Sequence, residues 1–248
     1  MSIVENGVSG VRCQVLGVRC QVSGARCSLY HSLTPSLRTP LRLFLFTIHL
    51  LLITFLSACY SVDPVVKIAL VAPFEGSHRA VGYDVIYSAR LAVRELNEQG
   101  GIGGNRVALV AWDDGGNVEL ARETAVSIIN DPAIVAVVGH WQPETTAAVT
   151  DLYAEAGLLF IPMDGDTAGA VMPDELPAAF VQNYEAVTPF DETTDIYAGS
   201  AYDAFQFVWL GLETAVEANT PITRDTLLSS TSGLEYLGIS GLEIELGE

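Results

Sequence analysis

Lys67-Ile68-Ala69-Leu70-Val71-Ala72-Pro73-Phe74-Glu75-Gly76 decides the fold of this chain. The first six residues are a short run rich in strand formers, and Pro73 to Gly76 break it. Beyond the break, Val85, Ile86, Ala89, Ala92, Val93 and Leu96 recur at helical spacing, which predicts an amphipathic helix. Gly100-Gly101 ends that helix, because glycine accepts the left-handed cap conformation.

The same alternation continues outward. Val107 to Trp112 reads as a second strand, stopped by Asp113-Asp114-Gly115-Gly116. A second helix carries Val118, Ala121, Ala125, Ile128 and Ile129 on one face, and Ile134 to Val138 is a third strand. A third helix spans about Glu144 to Ala156, closed by Gly157, and Leu158 to Ile161 is a fourth strand. The strands are apolar on both faces and joined by short links. That pattern predicts an α/β fold, a Rossmann-like parallel sheet with helices on both faces. Ligands of such sheets bind beyond the carboxyl ends of the strands. Here that places the loops Pro73–Gly82, Asp113–Asn117, Gly139–Glu144 and Met163–Thr167 at the site.

Residues 67–163 resemble the first lobe of the type I periplasmic binding proteins, in particular the leucine/isoleucine/valine-binding family. The resemblance is carried by Pro73-Phe74-Glu75-Gly76, Gly82, Ala89-Arg90-Leu91-Ala92-Val93, Glu95-Leu96-Asn97, Gly100-Gly101-Ile102-Gly103-Gly104 and Asp113-Asp114. Val137-Val138-Gly139-His140, Asp151-Leu152-Tyr153 and Gly157-Leu158-Leu159 continue it. It implies capture of an amino acid or similar small solute for an ABC permease, without enzymatic activity and without a cofactor.

Upstream, Arg38 and Arg42 precede an apolar run from Leu43 to Phe55, which ends in Leu56-Ser57-Ala58-Cys59. This is the charged segment, apolar core and small-residue cleavage site of an export signal, too short for a comfortable membrane span. The terminal cysteine resembles a bacterial lipobox, with Cys59 lipidated. Residues 38–58 are then a lipoprotein signal peptide, and the protein is extracytoplasmic, in the periplasm or held to the membrane by a lipid anchor. An ordinary secretory signal or a buried apolar helix is the alternative. Residues 1–37 contain Val11-Arg12-Cys13-Gln14-Val15-Leu16-Gly17, repeated as Val18-Arg19-Cys20-Gln21-Val22-Ser23-Gly24 and begun again at Ala25-Arg26-Cys27. Glycine and β-branched residues in each copy argue against a helix. The reading is a spurious or disordered extension, with the true start near Leu37 or Leu41.

The chain carries a net charge of −18. The first 58 residues hold five arginines and one glutamate, leaving −22 on residues 59–248. From Asp164 onward there are sixteen acids and one base, Arg224. That excludes a nucleic-acid partner, which requires a basic footprint. All four cysteines lie at or before Cys59, so the following body has no disulfide.

Residues 59–163 are read as the first ligand-binding lobe, and 164–248 as a helical return segment of the same lobe plus a terminal strand. Asp174-Glu175-Leu176-Pro177 is expected to open a helix carrying Leu176, Phe180, Tyr184 and Val187. A longer helix spans about Tyr197 to Glu217, Thr223 to Ser229 forms a short capped one, and Leu242 to Leu246 a strand. The family places a whole second lobe between these stretches, whereas here Met163 passes almost directly to Asp174. A deletion or a misjoined reading of the gene is favoured over a genuine one-lobed protein. One wall of the cleft is then missing, and solute binding is expected to be weak or absent.

The candidate ligand-binding residues are Phe74, Glu75, Val81, Trp141, Gln142, Pro143, Glu144, Asp164, Asp166 and Thr167. The resemblance implies small hydroxyl residues after the third and fourth strands, but a family serine falls on Pro143, beside Glu144. A family aromatic position falls on Val81. Glu144 places its own carboxylate in the helix N-terminal field that would favour an anion. A neutral or cationic solute suits these loops better, with Trp141 as a stacking face. Asp113-Asp114 is expected to end a strand and cap the next helix. His78 and His140 lack a partner cluster with ligand spacing, so no metal site is expected.

Two function classes remain: a solute-binding lipoprotein of an importer, and a one-lobed surface interaction or scaffold lipoprotein with no small-molecule ligand. An enzyme is disfavoured, since there is no nucleophile elbow, metal cluster or defensible acid–base pair.

Overall fold

Four parallel strands organise the α/β region: β1 (Val65–Ala72), β2 (Arg106–Asp113), β3 (Ile134–Gly139) and β4 (Leu159–Ile161), in the order β2-β1-β3-β4. The computed structural model describes residues 12–15, 18–21, 44–49, 64–164 and 169–245. It divides into two units, Met1–Ser61 and Val62–Glu248.

In the first unit, Arg12–Val15 pairs antiparallel with Val18–Gln21, so that Cys13 faces Cys20. Two copies of the repeat therefore form a ladder, where the sequence predicts no folded structure. A lone two-stranded ladder is marginally stable in water. Residues 44–49 are helical, with Phe44, Leu45, Phe46 and Ile48 exposed. Among the described residues no helix is long and apolar enough to cross a membrane. Cys59 and the residues before it that form the cleavage motif lie outside the described residues.

In the second unit each strand alternates its side chains between two cores. Ile68, Leu70 and Ala72 of β1 join one apolar cluster with α1 (Arg79–Glu98) and α5 (Ala198–Glu217). Ala69 and Val71 join the other, against α2 (Val118–Ile129) and α3 (Pro143–Glu155). Helices thus cover both faces of the sheet, because every strand is apolar on both sides. β1 pairs with β2 on one side and with β3 on the other. The connection reverses direction there, and the crevice of such a sheet opens at that point.

The remaining elements are α4 (Ala178–Glu185), α6 (Arg224–Thr231), β5 (Glu235–Leu237) and β6 (Glu243–Glu245). The helix expected to begin at Asp174 is split. Pro173–Glu175 forms a single 3-10 turn, Leu176 is extended at φ −78 and ψ 147, and α4 starts only at Ala178. Pro177 is the cause, since a proline pushes the residue before it out of the helical region. Val187 falls beyond the end of α4. β5 is absent from the expectation drawn from sequence, and it pairs antiparallel with β6.

Buried polar groups tie these later elements to the sheet's helices. Asp84 of α1, 5% exposed, accepts the backbone N–H of Asp195 at 2.9 Å and of Tyr197 at 2.8 Å. Its backbone carbonyl accepts the Tyr184 hydroxyl at 2.9 Å. Asp203 of α5 accepts the N–H groups of Ile239 and Ser240 at 3.0 and 2.8 Å. Arg224, at the start of α6, donates to the carbonyls of Ile129, Asp131 and Ile134 at 2.8 to 3.0 Å.

Candidate functional site at the strand ends

The sheet is parallel, so the ends of β1, β2, β3 and β4 and the loops that follow them lie along one edge. Asp113, the last residue of β2, knits two of these loops together. Its Oδ1 accepts the N–H of Phe74 at 2.8 Å, of Glu75 at 3.4 Å and of Gly115 at 2.8 Å. Asp114 is fully buried: Oδ1 accepts the Gly116 N–H at 2.9 Å, and Oδ2 lies 2.7 Å from His140 Nδ1. His140 Nε2 is 3.3 Å from the Tyr153 hydroxyl. Burial pushes the Tyr153 phenol up, and the Asp114 charge adds to it. The next helix is capped by Asn117, whose Oδ1 accepts the Leu120 N–H at 3.0 Å. The expectation that Asp113-Asp114 caps α2 is therefore corrected. Both carboxylates instead hold the loops: Asp113 accepts the N–H groups of Phe74, Glu75 and Gly115, and Asp114 accepts that of Gly116 while contacting His140.

Two glycines mark close approaches. Gly139 has φ 137, and a Cβ there would collide with the Val71 carbonyl oxygen, so β1 and β3 meet backbone to backbone. At Gly116 a Cβ would sit 3.2 Å from His78 Nδ1 and 3.7 Å from Gln142 Cγ. The loops after β1, β2 and β3 thus converge on one point. The loop after β4 joins them where the Met163 N–H reaches the carbonyls of Gly139 and His140, at 3.1 and 3.2 Å.

The expected ligand residues fall into three groups. Phe74 and Val81 are half-buried against the α1 and α5 core, and Glu75 is exposed. Gln142 is the half-buried N-cap of α3 without a side-chain capping bond, Pro143 is exposed at the first helical position, and Glu144 is exposed in the first turn. Asp164 is half-buried, while Asp166 and Thr167 lie outside the described residues. Trp141 departs from its expected role: it is 6% exposed within the core, and among the described residues its buried Nε1 has no hydrogen-bond partner. It supports the loop from beneath and presents no open stacking face. Among the described residues no group of three or more His, Cys, Asp or Glu side chains could hold a metal ion. Reading residue types missed the Asp114–His140 contact, because the partners are 26 positions apart.

The family described as "Periplasmic binding protein" matches residues 65–175. The Leu/Ile/Val-binding protein of Escherichia coli (strain K12) is 32% identical over 96 residues, which is 39% of this chain and 26% of that protein. The Leucine-specific-binding protein of Salmonella typhimurium is 31% identical over 109 residues, 44% of this chain and 28% of that protein. The matched stretch thus spans about a quarter of the length of these curated relatives. Among solved structures, the branched-chain amino acid transporter substrate binding protein LivJ from Streptococcus pneumoniae, in complex with isoleucine, has a TM-score of 0.58 at 16% identity. It covers 72% of this chain and 91% of that one. A fatty acid ABC transporter substrate-binding protein from Thermomonospora curvata has a TM-score of 0.62 at 14% identity, covering 74% and 85%. At those identities the likeness is one of fold. Over residues 65–175, with its parallel sheet and converging strand-end loops, this α/β region is similar to the periplasmic binding proteins.

Proposed function

We propose that the chain is the solute-binding component of an ABC importer, extracytoplasmic and lipid-anchored at Cys59, built on one lobe and binding its solute weakly. The observation that carries this reading is the convergence of the four strand-end loops around Gly116, Gln142 and Met163 on a family scaffold. Gln142, Glu144, Glu75 and Asp164 belong to these loops, and all are polar residues with some exposure. The solute is an amino acid or an amide-like small molecule. Glu144 in the first turn of α3 supplies a negative charge where an anion-binding site would leave the helix field open. The solute's carboxylate is therefore held poorly, and an amide or ammonium group better.

Residues 164–248 complete the same lobe in this account. The contacts of Asp84, Asp203 and Arg224 support it, as does the coverage of 91% of the isoleucine-bound chain by 72% of this one. A single lobe encloses a ligand on one side only, so much of the burial that ordinary pockets provide is missing. A thermal-shift screen of the full chain against amino acids, their amides and small amines tests the reading. Stabilisation only at millimolar solute, stronger for an amide than for its parent acid, supports it. No stabilisation by any solute contradicts it and favours the surface-interaction class.

A further inference from the structure

A cavity of about 270 Å3 lies on the outer side of α1 and α5, beside β5 and separate from the strand-end loops. Three aromatic side chains line it, Tyr202 and Trp209 of α5 and Tyr236 of β5, with Glu95 of α1 and Glu213 of α5. Its volume falls just below the ~300 Å3 at which the usual range of small-molecule pockets begins, which restricts it to a small ligand. None of its lining residues is Lys, Arg or His. Glu95 is held in place as an acceptor: the Tyr202 hydroxyl donates to Oε2 at 2.6 Å, and Asn183 Nδ2 to Oε1 at 3.4 Å. Phe180 packs edge-on against Tyr202, with centroids 5.0 Å apart, and fixes that ring. Arg94, on the same helix as Glu95, is turned toward Glu98 at 3.6 Å.

We propose that this cavity binds an organic cation, a substituted ammonium of choline size, between the aromatic rings and the two carboxylates. Aromatic faces attract a weakly hydrated cation through their quadrupole, and the carboxylates fix the sign. A neutral molecule of the same shape gains only the contact area. An anion is repelled by Glu95 and Glu213. Burial raises the Tyr202 phenol, and that of Tyr236 up to about 12, so both rings stay neutral through the physiological range.

The test is an NMR titration of the full 15N-labelled chain with choline and, separately, with 3,3-dimethyl-1-butanol, its uncharged isostere. The indole N–H of Trp209 is assigned by its loss in Trp209→Phe. The expected result is a saturable shift of that signal by choline, with the alcohol binding at least about threefold more weakly. Glu213→Gln, an exposed change that leaves the fold intact, weakens choline about twofold or more. Equal binding of both probes, no saturable shift, or an unchanged choline affinity in Glu213→Gln overturns the proposal. Signals from Gly139 to Glu144 report the strand-end site in the same spectra, so each reading fails on its own resonances.

Discussion

Arg224 donates its Nε–H to the carbonyl oxygen of Ile134 at 2.9 Å, joining residues 90 positions apart. The same guanidinium reaches the carbonyls of Ile129 and Asp131, the turn between α2 and β3. It is the one base in the acidic stretch after Asp164. One planar fork serves three carbonyls, a task that a point-charge ammonium cannot perform. The late helices are anchored to the sheet by that side chain.

Arg224→Ala is expected to destabilise the chain by about 2 kcal/mol, because three carbonyls lose a charged donor while gaining partial access to water. Arg224→Lys recovers less than half of that. Denaturant midpoints of the three proteins check it, and equal midpoints for wild type and alanine variant would refute the anchor.

Asp84 gives the fold an unusual pH dependence. Burial pushes its carboxyl up to about 6 from 3.8, against the opposing pull of the Asp195 and Tyr197 N–H groups. The native state therefore holds this proton more tightly than the unfolded chain. From this group, stability is greatest below about pH 4 and falls as pH rises toward 6, by up to about 3 kcal/mol. Asp84→Asn should flatten that part of the stability profile. A profile in which wild type and variant run parallel from pH 4 to 6 would show the shift to be absent.

Gly139→Ala should cost at least about 3 kcal/mol. The residue has φ 137, and the new Cβ meets the Val71 carbonyl of the neighbouring strand, which cannot move without breaking the ladder. Gly104→Ala, with φ 78 but nothing within 4 Å, should cost about 1 kcal/mol. Urea unfolding of both variants separates the steric part from the conformational part.

Glu144→Gln removes a carboxylate from the first turn of α3. It should raise the affinity for a carboxylate-bearing solute about two- to fivefold and leave that for its amide within twofold. Calorimetric titration of an amino acid and its amide against both proteins measures the difference. A lowered affinity for the acid would mean that Glu144 contacts the solute's ammonium instead.

The sheet was legible because β1, β3 and β4 carry apolar residues on both faces, and because Gly100, Gly101 and Gly157 sit where positive φ is required. Those are local signals. The acids that assemble the lobe were not legible: Asp84 finds its partners 111 and 113 positions away, and Asp203 finds its own at 36 and 37. In sequence they are indistinguishable from solvated surface acids. The site was legible as a set of loops, since topology alone places them at one edge. Individual roles were less so. Trp141 has the composition of a stacking residue but is drawn under its loop into the core, and Asp114 spends both oxygens on His140 and the Gly116 N–H.

The most direct test is a chemical-shift titration of the full chain with a panel of amino acids and amides, read at the backbone N–H signals of Gly139, His140, Trp141, Gln142 and Glu144. The expected result is fast-exchange shifts confined to the strand-end loops, with a dissociation constant weaker than about 100 μM, as befits a half-enclosed ligand. Nanomolar binding, or loops that remain silent to every solute, would contradict it.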